Sequence, residues 1–102
     1  MKYQLVIQAP ESSTNFDQLM ELEERFISFF GDREDVDVDG HDFGNGEGNI
    51  FIHTNDPEGT FADAKPILRS LGIDQFKAAY RDLKGDKYSV LWPKGFLDFK
   101  IS

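Results

Sequence analysis

At 102 residues, with 39% hydrophobic and 14% aromatic side chains and ten Phe, the chain is long enough for one packed core and too short for two. That composition excludes disorder, and the absence of cysteine excludes disulfides, thiolate nucleophiles and thiolate metal sites. The net charge of −8 is unevenly spread: from Glu11 to Asp63 there are 15 acidic and 2 basic residues, from Ala64 to Ser102 only 4 acidic and 8 basic. Phosphates would be repelled by the first two thirds, so nucleic acid is disfavoured there and a basic protein, or head-to-tail contact between copies, is favoured. No run approaches the ~18 apolar residues of a membrane span, and residues 1–8 lack the apolar core of a signal peptide. Membrane association is therefore not expected, and a cytoplasmic location is.

In chain order, Tyr3, Leu5 and Ile7 alternate with Gln4, Val6 and Gln8, the pattern of a strand, which Ala9 and Pro10 end. Ser12, Ser13 and Thr14 offer helix N-caps, and Thr14 with Asp17 approximates a capping box. Phe16, Leu19, Met20, Leu22, Phe26, Ile27, Phe29 and Phe30 then recur at helical steps, with Gly31 as the expected stop. In 34–39 the period is two: Val36 and Val38 point one way, Asp35, Asp37 and Asp39 the other. A nine-residue polar loop over 40–48 leads to a second strand over 49–54. The expected register sets Val36 against Ile52, Val38 against Ile50 and Asp39 against Asn49, and brings His41 towards Glu47.

Asp56 followed by Pro57 predicts a helix start, and Phe61, Ala64, Ile67, Leu68 and Leu71 carry the helix to Gly72, with Pro66 either kinking it or opening a shorter one. Residues 76–81 and 87–92 read as strands around a turn at 84–86, and 96–101 as a last alternating strand after the turn at 92–95. The order β-α-β-β-α-β predicts a single α+β domain over residues 1–102. It has the ferredoxin-like antiparallel sheet, extended by a C-terminal β-hairpin, with both helices on one face. In that fold the acidic second strand lies at one edge and the basic strands at the other.

Candidate chemistry concentrates in 35–49. Asp35, Asp37, Asp39 and Gly40 match the first half of a calcium-binding EF-hand loop, but the twelfth position is Gly46, Glu47 comes one residue late, and the flanks alternate as strand. A charged edge strand that resists edge-to-edge pairing accounts for the three aspartates. In the glycine-rich loop, Asp39, His41, Glu47 and Asn49 are expected to converge, giving a base, acids and an amide, with Asp42 nearby. The candidate partner- or ligand-binding set is thus Asp35, Asp37, Asp39, His41, Asp42, Glu47 and Asn49. In the expected register His53 pairs with Asp35 across the strands, too far from His41 for one metal ion. No catalytic triad, phosphate-binding loop or dinucleotide fingerprint occurs, no cofactor is expected, and no metal site is assigned. Tyr80, Tyr88, Trp92, Phe96 and Phe99 are expected in the core or on a sheet face closed by another copy.

Asp39-Gly40-His41-Asp42, Gly44, Gly46-Glu47 and Asn49-Ile50-Phe51 form a DGHD-G-GE-NIF pattern, and with 78–81 and Leu91-Trp92-Pro93 the chain resembles a group of small bacterial proteins. That resemblance implies no particular activity. In size and charge the chain is also similar to immunity proteins that neutralise bacterial toxins, an analogy of type. The expected function is a non-enzymatic acidic protein, an immunity protein or other inhibitor, that presents 35–49 to a basic partner; a homodimer through the sheet face or edge is a further expectation. The alternative is a small-molecule- or metal-binding domain, or a small enzyme, that uses the loop of His41 and Glu47.

Overall fold

The computed structural model describes residues 1–95 and 99–101. The first alternating stretch forms strand β1 (Tyr3–Pro10), and its Leu5 and Ile7 are fully enclosed beneath the helices. Helix α1 (Phe16–Phe30) follows and buries Leu19, Leu22, Phe26 and Phe30, one face at three- and four-residue steps. Its capping box is one residue later than the sequence suggested. The Gln18 amide donates to Asn15 Oδ1 and the Asn15 amide to Gln18 Oε1, both at 2.9 Å. Thr14 is instead buried. Gly31 caps the other end in right-handed helical geometry (φ −58°), so its left-handed freedom is unused.

Strands β2 (Val36–Gly44) and β3 (Glu47–Thr54) form a hairpin, then helix α2 (Pro57–Ser70) returns over the sheet to β4 (Lys77–Asp82) and β5 (Ser89–Trp92). Asp56 caps α2, accepting from the Gly59 amide at 3.0 Å, with Pro57 in the first turn as expected. The Thr54 and Thr60 hydroxyls, 2.7 Å apart and buried, tie β3 to that first turn. Pro66 stands inside α2 without ending it. Proline cannot donate to the carbonyl of Ala62, but both residues are exposed, so water can take that bond. The helix stops where predicted. Gly72 (φ +72°) donates to the Arg69 carbonyl and Ile73 to that of Leu68, the paired bonds of a left-handed glycine cap.

The sheet order is β2-β3-β1-β4-β5, antiparallel throughout, which is the ferredoxin-like arrangement extended at the β4 edge by β5, which forms a hairpin with β4. Both helices lie on one face, where Leu5, Ile7, Ile50, Ile52 and Ala78 meet Phe26, Phe30, Phe61 and Leu68 in one cluster. Each of these side chains but Ala78 contributes roughly 1.5–3 kcal/mol by leaving water. The other face is also covered near its middle. Val6 and Ala79 are fully buried there, and Gln8 Nε2 donates to the Lys100 carbonyl at 3.1 Å, which lays the end of the chain across β1. In the expected last strand, 96–98 lie outside the described residues and 99–101 are not in a strand. No helix among the described residues is long and apolar enough to cross a membrane.

Phe26 is fully buried between the helices and the sheet, so Phe26→Ala should lower unfolding free energy by about 3–5 kcal/mol in urea titrations. Asn15→Ala, which removes one half of the cap, should cost about 1 kcal/mol.

Candidate functional site

The β2–β3 turn is much tighter than a nine-residue loop. Asn45 (φ 55°) and Gly46 (φ 85°) are its two central residues, both with positive φ, as a type I′ hairpin turn requires. Pairing therefore begins at Gly44 with Glu47 and runs back through Phe43 with Gly48, Asp42 with Asn49, His41 with Ile50 and Gly40 with Phe51. Then the register shifts. Val38 faces Ile52, Asp37 faces His53 and Val36 faces Thr54, leaving Asp39 without a partner on β3. Asp39 and Gly40 together oppose Phe51 in a β-bulge, and Gly40 adopts φ +150°, which side-chain-bearing residues rarely do.

That extra residue separates the side chains that the sequence had placed together. His41 turns to the helix side, where its Nδ1 lies 3.1 Å from Glu23 of α1 and its ring packs edge-on to Phe16 at 6.1 Å. Glu47 and Asn49 point to the opposite face. Gln8 Nε2 donates to Glu47 Oε2 at 2.9 Å and to Asn49 Oδ1 at 3.0 Å, a knot that satisfies polar groups beneath the chain terminus. His41 and Glu47 thus belong to different faces, and the expected convergence of Asp39, His41, Glu47 and Asn49 does not occur. Asp42 is exposed opposite Asn49. Asp35 lies before β2 and does not meet His53. It accepts from Arg33 at 3.1 and 3.2 Å, while the same guanidinium reaches Asp63 of α2 at 2.9 Å. The Arg33 hydrogen bonds hold the Asp35 carboxyl below its ordinary range, and the two carboxylates hold the guanidinium above its own.

What the hairpin does bring together is Asp37, Asp39 and His53. One donor atom from each lies within 4.8 Å of the others, and His53 Nε2 is 3.6 Å from Asp39 Oδ2. The carboxylates are exposed and the imidazole is half-buried, backed by Gln4 of β1 on its other side. Among the described residues neither carboxylate is paired with Lys or Arg, and Asp39 has His53 beside it. Two carboxylate oxygens and an imidazole nitrogen on one side of an ion leave its remaining positions to water or a further ligand. His53 was missing from the sequence-derived set. The Asn45-Gly46 dipeptide between alternating residues fixes the pairing back to Gly40, and the conflict of that register with inward-facing Val36 and Val38 is the signal that could have placed His53 beside Asp37 and Asp39.

Comparison with known protein families, with curated proteins and with solved structures returned no match.

Gly40→Val puts a β-branched side chain at a strained backbone position and should lower stability by about 1–3 kcal/mol in chemical denaturation. Asp35 has a folded-state pKa below its unfolded value, so its stabilising contribution is full above the unfolded pKa and lost as pH falls through the folded one. Wild type should therefore exceed Asp35→Asn in stability at neutral pH, and the gap should close below about pH 4 when melting is followed across pH.

Proposed function

We propose that this protein is a divalent-cation-binding domain whose protein ligands are Asp37, Asp39 and His53. The observation that carries this reading is the grouping of two carboxylates, paired with no Lys or Arg among the described residues, and one imidazole, with donor atoms inside 4.8 Å, on adjacent strands. Strands hold ligands more rigidly than a loop does, and the bulge aims Asp39 at the same face as Asp37 and His53. An imidazole with two carboxylates suits a first-row ion such as Zn²⁺ or Mn²⁺ better than Ca²⁺, which takes six to eight oxygens. Binding requires the imidazole nitrogen unprotonated, so affinity falls as the solution is acidified.

A second reading is favoured by a different observation. Between α1 and the free edge of β2 runs a groove of about 510 Å³ lined by Ile27, Phe30, Val36 and Val38, with Glu34, Asp37 and the carboxylate-paired Arg33 along it. Ile27 and Phe29 of α1 are about half exposed. An acidic edge beside apolar side chains suits a basic protein partner, as in an immunity protein or other inhibitor, with association steered by charge and slowed by salt. A head-to-tail pairing of copies, acidic β2 edge against the more basic end of the chain, is the self-associating form of the same idea.

Isothermal titration distinguishes the two. The first reading predicts one Zn²⁺ or Mn²⁺ per chain, at least about tenfold (~1.4 kcal/mol) weaker binding in each of Asp37→Asn, Asp39→Asn and His53→Gln, and about 2.7 kcal/mol of added stability at 100 times the dissociation constant. No heat with either ion, or equal affinity in all three variants, would remove the cation site and leave the partner reading.

A further inference from the structure

At the opposite end of the sheet from the carboxylates, α2, the connection that follows it (72–76) and Trp92 of β5 line an open cavity of about 320 Å³, at the small end of ligand-sized sites. Its wall is aromatic. The rings of Phe76 and Trp92 stack with centroids 6.0 Å apart and planes 17° from parallel, and both side chains remain partly accessible. Its other side is cationic. Lys65 and Arg69, one helical turn apart on α2, both line it, and the Lys65 ammonium lies 4.0 Å from the centre of the Trp92 indole. An ammonium resting on a ring face still directs N–H bonds outwards, and among the described residues neither Lys65 nor Arg69 is ion-paired to a carboxylate. The carbonyls that end α2 do not repel an anion strongly here, because Leu71, Gly72 and Ile73 already donate to those of Ile67, Leu68 and Arg69.

We propose that this cavity binds a planar aromatic monocarboxylate, its ring against Phe76 and Trp92 and its carboxylate between Lys65 and Arg69. Three features select that class. The partly accessible surfaces that Phe76 and Trp92 leave outside their mutual stack give a flat apolar body an aromatic wall. The two cations provide charge-assisted hydrogen bonds to a carboxylate, with the Arg69 guanidinium able to take it by both oxygens. Asp74, also on the lining, disfavours a second negative charge and so turns away phosphate monoesters. The site is independent of the Asp37, Asp39 and His53 group: β2 and β5 are at opposite edges of the sheet.

Trp92 is the only tryptophan, so its indole N–H gives a single resonance that reports on the cavity. Benzoate and 4-hydroxybenzoate are titrated into the ¹⁵N-labelled full chain, with benzyl alcohol, cyclohexanecarboxylate and phenyl phosphate as controls. Saturable shifts of that resonance by the two aromatic carboxylates, about tenfold or more weaker in Lys65→Gln and Arg69→Gln and in each control, are expected. Both substituted side chains reach solvent, so unchanged spectra elsewhere verify that the variants fold. Absence of any shift overturns the proposal. So does equal binding of benzyl alcohol, which would leave only an apolar slot, or unaltered affinity in both variants.

Discussion

One unpaired residue in the edge strand decides where the chemistry of this protein lies. Two demands on β2 conflict. The Asn45-Gly46 turn sets His41 opposite Ile50, and unbroken alternation from there would send Asp39 and Asp37 into the helix-facing side and Val38 and Val36 out of it. The core demands the reverse, since Val36 is buried beside Phe30 and Ile52 and Val38 packs against the same cluster. Inserting Asp39 between Val38 and Gly40 satisfies both. The apolar pairs stay inside, the turn keeps its geometry, and the parity of the strand is changed at one place.

The consequences spread from that point. Before the bulge, Asp37 and Asp39 share the far face with His53; after it, His41 and Phe43 face α1, where Phe16 contacts both rings and Glu23 holds the imidazole. The bulge and the charges also blunt β2 as a template for further strands, which an exposed nine-residue edge requires. Structural protection and a ligand site are therefore not rival accounts of the same aspartates. Charges placed on an edge for one reason are already clustered for the other.

The architecture was legible because its signals are periodic. Alternation in 3–8, helical spacing in 16–30, the Asp56-Pro57 start and the Gly72 stop each rest on local stereochemistry, and their order leaves few topologies. The site was less legible. The four glycines of 40–48 suggested a loop, although Asn45-Gly46 marks a two-residue turn, and counting back from it gives Asp42 with Asn49 and His41 with Ile50 directly. The bulge could then have been inferred from the conflict between turn and valines. Two further features lay beyond local pattern. The pairing of Asp35 with Arg33 and Asp63 depends on how α2 approaches the start of β2, and the Gln8, Glu47 and Asn49 knot depends on where the chain end crosses β1. Neither position follows from residue spacing.

The two ends of the sheet differ in charge as well as in form. At β2, carboxylates stand open beside an imidazole; at β5, Lys65 and Arg69 stand beside stacked rings. Such separation keeps the two groups of charges from neutralising each other within one small domain, since about 8–10 Å of saline already screens exposed charges. The most direct test of this account is the pairing at the bulge, read from cross-strand nuclear Overhauser contacts in the labelled protein. Contacts of Val38 with Ile52 and of Gly40 with Phe51, Asp39 being skipped, together with His41 ring contacts to Phe16, are the expected result. Contacts of Asp39 with Ile52 and of Val38 with His53, the unbroken ladder counted from the turn, would contradict it.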